Sequence, residues 1–310
     1  MPSSPAPRVT VVGAGQVGAT TAHLLALKGL AHVVLIDVIE GLAKGKALDI
    51  TQSAPIEGFS VSVEGTADLQ AMAGSRLVIV TAGFPRKPGM SRDDLLAANA
   101  GIVGPIAERV GRVAPEAVLI IVTNPLDLMV ALALRRSGLP RQRVMGMAGV
   151  LDSARLRAFL AQRLQVPPAE VQAMVFGSHG DLMVPVASAV TVRGEPVTKR
   201  LGAAEVEQFF QRTREGGAEI VALLKQGSAF YAPASGAVEM ARAILEDRHA
   251  ILPVCAWLKG EYGLRDVCIG VPAQLGAAGI ERVVELPLTA QERSALAASA
   301  EQVRDGITRL

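Results

Sequence analysis

Aromatic side chains are scarce in this chain: one Trp, two Tyr and seven Phe make up 3% of its 310 residues. That leaves few platforms on which the bases of a single strand could stack. Neither sign of charge is in excess, with 31 Lys and Arg against 29 Asp and Glu and a net charge of +2. A basic footprint for a phosphate backbone is therefore missing, and no nucleic-acid partner is expected. Cysteine is rare as well. Cys255 and Cys268 form no CxxC and join no His/Cys cluster. No metal is therefore expected, and the pair reads as two small buried thiols in a reducing, cytoplasmic compartment. Long apolar runs are absent too. One apolar run, Ala117 to Val122, stops at Thr123-Asn124-Pro125, far short of the roughly 20 residues a spanning helix needs. The start, Met1 to Pro7, has no apolar stretch before Arg8, so no secretory leader is expected.

What the chain does have is aliphatic bulk. Half of the residues are hydrophobic and only 19% are charged, which excludes a disordered chain. At this length a substantial core can form, in one large or two medium domains. Four short β-branched runs, Val9 to Val12, Val33 to Ile36, Leu77 to Val80 and Val118 to Val122, are continuously apolar. That pattern predicts strands buried on both faces of a parallel sheet. Helical stretches separate them, such as Val17 to Lys28 before Gly29. The rhythm predicts a doubly wound α/β domain over residues 1–148. Beyond it, residues 149–310 mix element types: a helix from Leu151 to Leu164, strands at Ala173 to Phe176 and Val186 to Val192, and a helical region from Ala203 to Glu246 interrupted near Gly227 and Pro233. Strands at Val254 to Lys259 and Val267 to Val271 and a helix from Ala290 close the chain. This half reads as an α+β catalytic domain.

The first strand runs into Gly13-Ala14-Gly15-Gln16-Val17-Gly18 and then a helix. A GxGxxG is weak alone, but between strand and helix of a βαβ unit it is the signature of a dinucleotide-binding turn. Gly13 permits the turn, Gly15 lets backbone approach a pyrophosphate, and Gly18 lets the helix pack close. Asp37 ends the next strand, where a carboxylate can accept from a ribose diol and would repel a 2′-phosphate. Val38-Ile39-Glu40 offers no arginine for that phosphate. NAD is therefore expected over NADP.

Four further stretches stand out. The loop Thr81 to Asp94 follows a strand end, has lid-like Gly/Pro spacing and carries Arg86, Lys87 and Arg92. Ser91 with Asp94 predicts a helix cap that puts Arg92 in the first turn, where a cation is unfavourable without an anion to meet. Val122-Thr123-Asn124-Pro125 sits at another strand end. In Leu151-Asp152-Ser153-Ala154-Arg155, Asp152 and Arg155 share a helix face. In Phe176-Gly177-Ser178-His179-Gly180-Asp181, His179 lies open between glycines. The first three have plainer readings alone: a solvated basic loop, an Asn-Pro turn, a surface ion pair. His23, His32 and His249 read as structural.

In their joint order, from Arg8 onward, these motifs resemble the lactate/malate dehydrogenase family, and within it the lactate-dehydrogenase-like malate dehydrogenases. The resemblance implies a Rossmann domain followed by an α+β catalytic domain, and a homotetramer, with a homodimer as second choice. It implies roles for residues as well. His179 matches the acid/base and Asp152 its carboxylate partner. Arg155 matches the clamp on the carboxylate beside the reacting carbon, and Arg92 the group polarising the carbonyl. Asn124 matches a contact to substrate and cofactor. Asn99 and the backbone of Val122, Thr123 and Asn124 match further cofactor contacts. Arg86 stands where lactate-type members carry glutamine. A second substrate carboxylate needs a cationic partner when buried, and a guanidinium can meet it bidentately. Malate and oxaloacetate are therefore expected as substrates, with an L-lactate or other 2-hydroxyacid dehydrogenase as the alternative and a non-catalytic NAD-sensing protein as a remote one. Leu182 and Ser178 depart from the family's usual Thr or Ser and Gly or Glu.

Overall fold

A computed structural model describes residues 6–85 and 91–310. The first half lays down β1 (Arg8–Val12), α1 (Gln16–Leu27), β2 (His32–Ile36), α2 (Glu40–Glu57), β3 (Val63–Thr66), β4 (Leu77–Val80), α3 (Arg92–Val113), β5 (Val118–Ile121), α4 (Leu126–Ser137) and β6 (Val144–Gly146). These strands pair in parallel in the order β3-β2-β1-β4-β5-β6. That is the dinucleotide-fold order, with its switch point between β1 and β4. The runs in β4 and β5 are buried at every position, because helices cover both faces of the sheet. β3 and β6 escaped the sequence reading: β3 has one buried valine in Val-Glu-Gly-Thr, and β6 is three residues long.

The second half continues the same sheet. It contains α5 (Gly149–Leu164), β7 (Val171–Gln172), β8 (Val175–Gly177), β9 (Met183–Pro185), β10 (Thr191–Val192), β11 (Glu195–Pro196), α6 (Ala203–Leu224), α7 (Tyr231–Leu245), β12 (Ala250–Lys259), β13 (Arg265–Gly276), β14 (Gly279–Val283) and α8 (Ala290–Ile307). β12 pairs antiparallel with β6 at Cys255 and Gly146, and β13, β8 and β9 follow outward. Two expected strands are corrected. Of Ala173 to Phe176 only Val175 and Phe176 are strand, in β8, and β7 lies just before the expected stretch. Val186 to Val192 is broken by a 3-10 turn at Ala187–Ala189 before β10. The amide and hydroxyl of Ser188 in that turn bond to Glu292 of α8, a tertiary demand that strand propensity does not reveal. The expected interruption of the long helical region falls between Leu224 and Tyr231, with Gly227 at φ +81°. One core of buried aliphatic residues joins both halves, from Val9 to Ile307. A smaller cluster centred on Leu156, Leu160 and Phe210 lies under α5 and α6.

Candidate active site

At the switch point β1 ends in Gly13, whose φ is +106°. A Cβ there would come within 2.7 Å of the Ala82 nitrogen, and one on Gly18 within 1.8 Å of the Gly13 carbonyl. Both glycines are therefore required by close packing of α1 against β1 and the end of β4. Gly15 differs: its backbone is ordinary extended, and a Cβ there would meet nothing within 4 Å. No side chain caps α1, so the amides of Gln16, Val17 and Gly18 have no intrahelical acceptor. Open space over uncapped amides fits a pyrophosphate. Asp37, at the end of β2, accepts from the backbone N–H of Ala14 at 2.7 Å and of Ile39 at 3.0 Å. It thus sits beside the turn where the ribose would lie.

The ends of β4 and β5 are laced together next to it. Thr123 donates to the Ala82 carbonyl at 2.7 Å, and Gly83 packs so close that a Cβ would lie 2.5 Å from the Thr123 methyl. Asn99, fully buried, donates to the carbonyls of Phe84 and Asn124 and accepts from the Phe84 N–H. Through these bonds Asn99 fastens Phe84 to the 122–124 turn, beside the cofactor contact expected of it. Val122 is partly buried and Asn124 exposed at the same rim. The expected Ser91–Asp94 capping box is present, with α3 starting at Arg92. Arg86 lies outside the described residues, as does the side chain of Arg92.

His179 lies in the loop between β8 and β9. Its Nδ1 is 2.9 Å from Asp152 Oδ2, and Asp152 Oδ1 accepts from Arg155 Nη1 at 3.2 Å. Asp152 is 2% exposed, Arg155 12% and His179 18% at the side chain. Ser153 accepts from the Val175 amide and so locks α5 to β8, which fixes the register between the carboxylate and the histidine loop. Glycines 216 and 217 of α6 leave room for the Arg155 side chain. Arg155 Nε is buried with no partner among the described residues, a donor left for an anion. Burial disfavours the charged ring of His179, but the charge and hydrogen bond of Asp152 outweigh it. Arg155 opposes and Asp127 adds a little, and the imidazole pKa ends above its usual value.

The sequence reading missed Asp127 and Ser299. Asp127 Oδ2 accepts from the backbone N–H of His179 at 2.9 Å. Ser299 of α8 accepts from the Ser178 amide and donates to its hydroxyl, which gives Ser178 a role in place of the family's usual residue. Asp127 did carry a signal, being a carboxylate three residues after Asn124 at the start of a helix. Elsewhere among the described residues, His249 meets Asp247 and Glu281 at the surface, and Cys255 and Cys268 are buried free thiols.

Comparison with known proteins agrees with this geometry. Residues 7–146 match the lactate/malate dehydrogenase NAD binding domain and residues 149–310 its alpha/beta C-terminal domain. A malate dehydrogenase of Nostoc punctiforme is 54% identical over 303 residues, covering 98% of this chain and 93% of the relative. The crystal structure of Cryptosporidium parvum malate dehydrogenase superposes with a TM-score of 0.95 at 42% identity, covering 98% of each chain. The lactate dehydrogenase of the same organism, complexed with lactic acid and nicotinamide adenine dinucleotide, gives 0.95 at 40%, covering 99% of this chain and 98% of that one. Matched in both halves by one family's domains, the chain belongs to the lactate/malate dehydrogenase family.

Proposed function

We propose that this chain is an NAD-dependent oxidoreductase that interconverts (S)-malate and oxaloacetate. The observation that carries the reading is the His179–Asp152–Arg155 constellation, in which a buried, unpartnered guanidinium N–H stands beside a carboxylate-held imidazole. NAD fits the turn at Gly13, Ala14, Gly15, Gln16, Val17 and Gly18, with Asp37 for the ribose and the rim at Val122, Thr123 and Asn124 for the nicotinamide end. Bound NAD supplies the hydride acceptor, and NADH the donor in the reverse direction. Because Asp152 occupies Nδ1 of His179, Nε2 is the atom left to take the proton of the malate hydroxyl, and Asp152 stabilises the imidazolium that results. Arg155 grips the carboxylate next to the reacting carbon, and Arg86 the distal one, fixing the reacting geometry. Arg92 stabilises charge on the substrate oxygen, and Asn124 contacts the substrate. Closure of the loop around residues 84–95 excludes water.

Cytoplasmic location, a place in the tricarboxylic acid cycle and a homotetramer, or else a homodimer, belong to the same reading. So does a division into an NAD-binding half up to residue 148 and a catalytic half from 149. Exposed Leu42, Leu48 and Ile56 on α2 and Leu223, Leu224 and Tyr231 around the α6–α7 junction support subunit contact. No helix among the described residues is long and apolar enough to cross a membrane.

His179→Asn tests the reading. Turnover should fall by at least ~10²–10⁴-fold, while NADH binding, measured by fluorescence titration, should stay near that of the wild type. A variant with near-normal kcat removes His179 from the chemistry.

A further inference from the structure

Asp127 is 5% exposed, stands in the first turn of α4 and plays no part in the mechanism above. One of its oxygens accepts the His179 backbone N–H; the other, Oδ1, is buried and meets no N–H or O–H donor among the described residues, and the Cys255 thiol stands beside the carboxylate. Burial pushes its carboxyl up, while the His179 amide and the Cys255 thiol pull it back. A neutral acceptor would satisfy one amide at less cost than a buried charge, so hydrogen-bond satisfaction alone does not explain a carboxylate here. The first turn of a helix is where such a charge is best tolerated. α4 begins directly after the 122–124 turn, and that turn is tied by Asn99 to the root of the 84–94 loop.

We propose that Asp127 is a positioning residue for the acid–base histidine: it joins the His179 loop to the helix that carries the Asn124 turn, and it sets a second negative charge behind the ring. The proposal rests on His179 being the proton-transfer residue. The groups that face His179 are Asp152 and Arg155 from α5 and Asp127 from α4. α8 contributes the neutral Ser299 contact to Ser178. Behind Asp127 stand the thiols of Cys255 on β12 and Cys268 on β13. Burial, the Cys268 thiol and the Asp127 charge push Cys255 up, so it remains a neutral donor.

Two variants separate position from charge. Asp127→Asn keeps an acceptor for the amide but removes the charge; Asp127→Ala removes both. In the apo protein the His179 ring is titrated by NMR, its signal assigned by its loss in His179→Asn. Steady-state rates are taken with whichever 2-oxo acid the wild type reduces. For Asp127→Asn, the ring titration and the high-pH limb of reduction should both move to lower pH, with NADH affinity unchanged. For Asp127→Ala, kcat should fall ~10- to 10²-fold, the scale of a small misplacement of a reacting group, again with NADH affinity unchanged. If the Ala variant does not fold, the Asn variant decides. A ring titration in Asp127→Asn that superimposes on the wild type overturns the proposal, as does an Ala variant with normal kcat; lower thermal stability alone would mark Asp127 as structural. Full activity in His179→Asn would instead sink the functional reading while leaving the NMR result interpretable.

Discussion

At the scale of single residues, the site's behaviour turns on one proton. Asp152, 2.9 Å from Nδ1, favours the imidazolium, and the raised pKa of His179 sets the direction of two pH effects. On the proposed mechanism, oxaloacetate reduction needs the protonated ring. It should therefore persist above the ordinary imidazole value of about 6.5 and decline only as pH passes the raised pKa. Malate oxidation needs the neutral ring and should rise through that range. The same sign holds for folding: this histidine's contribution is fully present below the unfolded value and is lost as pH rises through the folded one. Asp152→Asn removes the main raising influence. The high-pH limb of reduction should move to lower pH, with a rate loss of roughly 10²-fold or more; kcat/KM profiles of both proteins check this, and an unmoved limb would deny Asp152 its role.

Residues were legible in the sequence to unequal degrees. His179 between glycines and the i, i+3 pair Asp152 and Arg155 declare themselves by type and spacing. Asp127 offers only its place at a helix start after Asn124, because its partner is a backbone amide 52 residues away. The internal bonds of Asn99 were hidden for the same reason: its partners, Phe84 and Asn124, lie 15 and 25 residues off.

Among elements, the parallel strands β1, β2, β4 and β5 were readable because burial on both faces writes an unbroken apolar run. β3 and β6 were not, since edge position or brevity leaves too little pattern, and the 187–189 turn follows from Glu292 on a distant helix. The strand–turn–helix at β1 and α1 permits a test that separates packing from binding. Gly18→Ala would drive a methyl to 1.8 Å from the Gly13 carbonyl, and overpacking of this kind costs about 1–3 kcal/mol, so both thermal stability and NADH affinity should drop. Gly15→Ala meets nothing among the described residues. It should leave the melting temperature near that of the wild type yet weaken NADH binding about tenfold or more, equivalent to ~1.4 kcal/mol. Calorimetry with NADH titration reads both; unchanged affinity in Gly15→Ala would mean that nothing approaches the backbone at that turn.

Across the whole molecule, one continuous sheet carries the nucleotide turn at one end and, through β12, β13 and β8, the histidine loop at the other. Phe84 and Pro85 leave the rim between them, and the proposed function sets Arg86, which lies outside the described residues, against the distal carboxylate. That the substrate is a dicarboxylate is tested by the ratio of kcat/KM for oxaloacetate to that for pyruvate, in the wild type and in Arg86→Gln. The wild type should strongly favour oxaloacetate. In the variant a carboxylate left partly buried and unpaired costs on the order of 3–5 kcal/mol, so the ratio should fall by roughly 10²- to 10³-fold or more, with pyruvate reduction held or improved. A wild type that prefers pyruvate, or a ratio that moves by less than about tenfold (~1.4 kcal/mol), would contradict the account.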